Sequence, residues 1–113
     1  MVKQVKPLKL PSTIKVGYRL YTVQQVTSFG STTQMGECST IPPQIQWRDT
    51  GNAPENANTI LHESLHACFN TFGLCESFSS SQEEQLVNTM ANALCGLIKD
   101  NPELINYLQE KLT

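Results

Sequence analysis

Two histidines stand four residues apart in the stretch LHESLHACF, with a glutamate directly after the first. They are His62 and His66, the only two histidines of the chain, and the glutamate is Glu63. On a helix, residues four apart share a face, so two imidazole nitrogens can be directed at one ion about 2.0–2.1 Å from each. The next residue along projects beside that ion, where a carboxylate can take a proton from bound water. Zinc lowers the pKa of such a water to roughly 7 and polarises a carbonyl, provided the protein leaves one position open. Peptide-bond hydrolysis needs those parts. The competing reading is an ordinary solvated helix face that carries two incidental histidines.

The motif requires a helix, and the flanking residues supply one. In GNAPE, Asn52 is a cap, Pro54 falls in the first turn and Glu55 lies three after the cap, which predicts a helix running to about Phe72 and stopping at Gly73. Its apolar stripe is Leu61, Leu65, Cys68, Phe69 and Phe72. With Leu61 taken as zero, that stripe centres near 25°, and His62 and His66 fall at about 100° and 140°, at the edge of the core face.

An open catalytic site needs a third ligand. Glu83, Glu84, Cys75, Glu76 and Asp100 are the candidates. After the polar segment SSSQEEQ, a second helix buries Leu86, Val87, Met90, Ala91, Leu94, Leu97 and Ile98. On this helix Glu83 points into the middle of the stripe, whereas Glu84 and Asn88 flank it as the histidines flank theirs, so helical phase favours Glu84 over Glu83. Ser81 and Glu84 also have the spacing of a capping box, which would give Glu84 a purely local role. Asn88 is placed to orient a ligand. Asn101 and Pro102 then start a short last helix with Leu104, Ile105, Leu108 and Leu112.

The first half reads as strands. From Thr13 to Val23 the chain alternates, with Ile14, Val16, Tyr18 and Leu20 on one side, the period of a half-buried strand. A second strand is expected around Val26 to Thr33. MGECSTIPPQ reads as turns, and Ile45 to Trp47 as a third short strand whose start Pro42 and Pro43 keep at an edge. The expected fold class is therefore α+β, a small antiparallel sheet packed on two or three helices, in one domain over 1–113 with 1–12 as an arm. Trp47 is expected to anchor the sheet on the helices.

The motif with the later glutamate and Asn88 resembles the gluzincin pattern of zinc metallopeptidases. The layout is similar to the minigluzincins and the ImmA/IrrE-type peptidases, and LHESLHACFNTFGL with LIKDNPEL is similar to small phage-borne metallopeptidase-like proteins. The resemblance covers about residues 14–113, and its specific part is the five-residue motif. It implies one Zn2+ per chain, His62, His66 and Glu84 as metal ligands, and Glu63 as general base. It also implies a protein or peptide substrate, and raises the idea that the C-terminal segment covers the cleft. Tyr18, Tyr21 and Tyr107 are the candidates for steadying an oxyanion.

Composition bounds the alternatives. A chain of 113 residues buries enough surface to fold without disulfides. Cys38, Cys68, Cys75 and Cys95 include no C-x-x-C pair, and Cys68 and Cys95 fall at apolar helical positions. With Lys3, Lys6 and Lys9 followed by no apolar signal core, a reduced cytoplasmic setting is expected. No apolar run approaches the roughly 20 residues of a membrane span. Residues 1–48 hold six basic residues and one acidic, and 49–113 hold two basic and nine acidic. That asymmetry admits nucleic-acid contact through the N-terminal half as a minor reading, without the clustered aromatic and basic residues that would support it. The other function class is a metal-binding interaction or regulatory protein on a peptidase-like scaffold.

Overall fold

The computed structural model describes residues 8–113, so Lys3, Lys6 and most of the expected N-terminal arm lie outside the described residues. Four strands and three helices follow in chain order: β1 (Thr13–Val16), β2 (Arg19–Val26), β3 (Gly36–Thr40), β4 (Pro43–Arg48), α1 (Ala53–Thr71), α2 (Ser80–Asp100) and α3 (Pro102–Lys111). A short 3-10 turn, Leu74–Glu76, links α1 to α2. The fold is α+β, with the histidine motif on the first long helix.

The single strand expected over 13–23 is a hairpin. Gly17, with φ +59°, and Tyr18 form a two-residue turn, and Val16 pairs with Arg19 across it. Residues paired across a two-residue turn share a face, so the alternation changes phase: Tyr21 pairs with Ile14 and is fully buried, while Leu20 and Tyr18 are exposed. A side chain at Gly17 would meet Thr71 Cγ2 at 2.9 Å, so the glycine also lets the hairpin close on the end of α1.

The sheet order is β1-β2-β4-β3, and it is mixed rather than antiparallel. β1–β2 and β3–β4 are antiparallel hairpins, but β2 and β4 run parallel, with Val23 opposite Ile45. The strand expected at 26–33 is absent; β2 ends at Val26 and an irregular loop leads to β3, in the segment expected to be turns. β4 is an inner strand, and Pro43 sits at its first residue, where a ladder tolerates proline. β3 is an edge.

One face of this sheet packs on α1. Val16, Tyr21, Ile45 and Ala67 form the buried centre, with Ile14, Cys38 and Cys68 against it. Trp47 shares the Ile45 face of β4 by strand alternation. The Tyr21 hydroxyl lies 3.3 Å from Thr71 Oγ1, so its polar end is satisfied at the end of the helix.

Local chemistry fixes where α1 begins. Asn52 accepts a bond from Glu55 N at 3.0 Å, Pro54 occupies the first turn, and Gly73 follows the end at φ +78°. The entry is tied to the sheet: Asn56 Oδ1 accepts from both Thr50 N and Thr50 Oγ1, while Asn56 Nδ2 donates to Asp49 at 2.8 Å. Gly51 N also donates to Asp49, and these donors hold the Asp49 carboxyl below its ordinary value.

α2 begins two residues earlier than the Ser81–Glu84 spacing suggested. Ser79 is the cap, with a reciprocal box between Ser79 and Gln82, so the Ser81–Glu84 box expected from spacing does not form and Glu84 is released from capping. Val87 and Ala91 are buried on this helix, whereas Leu86, Met90, Leu97 and Ile98 are partly exposed. On α3, Leu104, Tyr107 and Leu108 are exposed too. Among the described residues no helix is long and apolar enough to cross a membrane.

Candidate metal centre

α1 and α2 pack side by side with opposite chain direction: Asn58 donates to Asn92 at one level, and His66 meets Glu83 two turns of α1 further on. This puts the motif against the first turns of α2. His62 Nε2 lies 2.8 Å from Glu84 Oε1, and His66 Nε2 lies 2.8 Å from Glu84 Oε2. The two oxygens of one carboxylate thus address the two imidazoles, whose ring centroids are 4.9 Å apart. Glu83 does something different, holding the opposite ring nitrogen of His66, Nδ1, at 2.6 Å.

Glu63 completes the group from below. It is the buried charged residue beneath the cleft, and its carboxyl reaches toward β3 through space left by Gly36. A Cβ at Gly36 would fall 3.0 Å from Glu63 Cγ, 3.1 Å from Glu63 Oε2 and 2.7 Å from Thr59 Cγ2. The glycine is a socket for the glutamate. Burial pushes the Glu63 carboxyl up to about 7, with neighbouring Glu84 and Glu37 adding to the rise and His66 opposing it. The same burial holds the His62 imidazole below its ordinary value, with Glu84 pulling the other way. Cys38, on β3 beside these carboxylates, is pushed up to about 12 by burial and then by the charges of Glu63 and Glu83, so its thiol stays protonated and is no nucleophile.

The ligand atoms of His62, Glu63 and His66 lie within 4.8 Å of one another, and the three form a group that could hold a metal ion. The donor set suits one: imidazole nitrogens and carboxylate oxygens, converging from two helices. Two ligands on a tetrahedral ion stand roughly 3.3 Å apart, a little more than the 2.8 Å contacts here, and Glu84, 59% exposed, has room to draw back.

These groups line a cleft of about 520 Å³ between β3, α1 and the start of α2. Of the residues singled out by sequence, His62, Glu63, His66, Glu83, Glu84 and Asn88 line it. Cys75, Glu76 and Asp100 do not; Asp100 closes α2, sixteen residues beyond Glu84 and so about 24 Å along the helix. None of the three tyrosines lines the cleft: Tyr21 is in the core, Tyr18 in the hairpin turn and Tyr107 on α3. No residue of α3 lines it either, so the idea raised by the resemblance, that the C-terminal segment covers the cleft, does not hold; nor is α3 part of the core, since none of its residues is buried. Sequence reasoning missed the β3 wall, Gly36, Glu37 and Cys38, because that segment was read as turns. The one available signal was Gly36 itself, a small residue ahead of three strand-compatible ones. Comparison with protein-family models, curated proteins and solved structures finds no match.

Proposed function

We propose that this chain is a small zinc-dependent endopeptidase, with His62, His66 and Glu84 as the metal ligands and Glu63 as the general base. One observation carries the reading: the Nε2 atoms of His62 and His66 both face the Glu84 carboxylate at 2.8 Å, with Glu63 buried alongside. The likeness of the motif to gluzincins supports the same assignment.

Zinc, when bound, supplies the Lewis acidity that makes a water nucleophilic near neutral pH and polarises the scissile carbonyl. The chain's own residues do the rest. Glu63, held in the Gly36 socket, takes a proton from the attacking water as its oxygen bonds to the carbonyl carbon. It returns that proton to the leaving amine nitrogen as the C–N bond breaks. Burial in the socket keeps the carboxyl dry and directed at the cleft, where one group can take the proton and later return it. The outer edge of β3 faces the cleft, so an extended peptide can add to it and be aligned by main-chain hydrogen bonds. Four free thiols fit a reducing cytoplasmic setting.

The test is metal content and peptide hydrolysis of the wild-type chain beside Glu63→Gln. The expected result is one zinc per chain in both and turnover in the wild type alone. A chain that takes no zinc after reconstitution near neutral pH would overturn the reading.

The exposed apolar residues of α2 and α3, Leu97, Ile98, Tyr107 and Leu108, favour a second reading, an interaction protein that uses the metal group structurally. In that case Glu63→Gln leaves partner binding intact and the wild type shows no turnover to lose.

A further inference from the structure

The two adjacent glutamates of α2 meet the same imidazole on opposite sides. Glu84 Oε2 contacts His66 Nε2, and Glu83 Oε2 contacts His66 Nδ1. The ring nitrogens point away from each other, so one carboxylate cannot serve both, and a residue that holds Nδ1 is turned away from an ion on Nε2. The two side chains differ in surroundings as well: Glu83 is 15% exposed and Glu84 59%. Glu83 is packed against the inward edge of the imidazole. Its consecutive position on a helix, about 100° from Glu84, produces this division without any loop.

We infer that Glu83 is a positioning residue for the metal centre, not a ligand: its carboxylate accepts the His66 Nδ1–H, fixes the ring tautomer and keeps Nε2 free to bind the ion. This rests on the metal reading proposed above and assigns within it the role of the second glutamate. With Nε2 given to an ion, the one proton of the ring is left on Nδ1, where the Glu83 carboxylate at 2.6 Å is placed to accept it. The negative charge behind the ring also makes Nε2 a stronger donor. His62 has a single carboxylate partner, Glu84, so the support is built for one imidazole of the pair.

The test compares zinc affinity, by titration against a competing chelator, for the wild type, Glu83→Ala, Glu83→Gln and Glu84→Ala, each first shown to be folded by circular dichroism. Nitrogen-15 NMR of the imidazoles reads the tautomer in the zinc-loaded chains. Glu83→Ala should still take one zinc per chain, with affinity weakened about 10–100-fold. Its His66 should lose the sharp, hydrogen-bonded Nδ1–H signal that the wild type shows. Glu83→Gln, whose amide oxygen can still accept from Nδ1, should recover most of both. Glu84→Ala should fall below stoichiometric loading. Unchanged affinity in Glu83→Ala, a Glu83→Gln no better than Glu83→Ala, or zinc lost with Glu83→Ala but kept with Glu84→Ala would overturn the proposal while leaving the metal reading in place. A wild-type chain that takes no zinc would overturn both.

Discussion

The two ends of the molecule are built differently. Where α1 packs on the inner face of the sheet and on the first turns of α2, the inward side chains are closed off: Tyr21, Ile45 and Val87 are fully buried, and even a charged residue, Glu63, is buried. Along the last turns of α2 and on α3, apolar residues of the same size stay about 40% exposed or more, among them Leu97, Ile98, Leu104, Tyr107 and Leu108. The candidate site lies wholly at the closed end. A polar constellation that must hold several groups to within a fraction of an ångström needs neighbours that do not move, and only the closed end provides them.

This contrast can be broken most directly by truncating side chains at each end. Tyr21→Ala should cost about 3–5 kcal/mol in chemical denaturation, whereas Leu108→Ala should cost under about 1 kcal/mol. Equal losses would mean that α3 is covered in solution and that the two ends are alike. Next in size, Gly36→Ala should destabilise by about 1–3 kcal/mol, because the new methyl meets Thr59 and Glu63 at 3.1 Å or less, and it should weaken metal loading in the same protein. A neutral outcome on both counts would show that the socket has slack.

The third prediction concerns pH. The folded-state value for Glu63 lies above its ordinary 4.5, at about 7, so its neutral form is the one the fold prefers. Its favourable contribution is full below pH 4.5 and is lost as pH rises through 7. In the metal-free chain, Glu63→Gln should therefore be more stable than the wild type at pH 8, by up to about 3 kcal/mol, and no more stable at pH 4. Thermal melts at the two pH values check this, and a gap that is the same at both would refute it. The smallest effect belongs to the entry of α1: Asn52→Ala should cost about 1 kcal/mol in the same denaturation assay, through the lost bond to Glu55 N.

What could be read in the sequence was what local chemistry dictates. The cap at Asn52 and the stop at Gly73 follow from local side-chain and backbone chemistry, and the phases of His62, His66 and Glu84 from 100° per residue; Glu83, which phase put in the middle of the apolar stripe, instead lines the cleft against His66. The sheet was less legible because its errors are errors of pairing. A two-residue turn at Gly17 reverses the chain and moves the inward side chains from Leu20 to Tyr21, and nothing in the alternation alone marks the reversal except the glycine. β3 consists of Gly36, Glu37, Cys38, Ser39 and Thr40, residues equally at home in turns, and it is a strand because β4 pairs with it. The parallel match of β2 to β4 joins residues some twenty positions apart, which no short window of sequence contains. The Ser79–Gln82 cap competed with an equally spaced Ser81–Glu84 pair, and spacing alone does not choose between them.

The amide bridge from Asn58 to Asn92 works as a depth stop. It joins α1 one turn before His62 to α2 two turns after Glu84, and so fixes how far one helix can slide along the other. A slide by one residue step is about 1.5 Å, many times the roughly 0.2 Å tolerance of a metal–ligand distance. An exposed pair of neutral amides with no chemistry of its own thus helps to hold the spacing of the candidate centre.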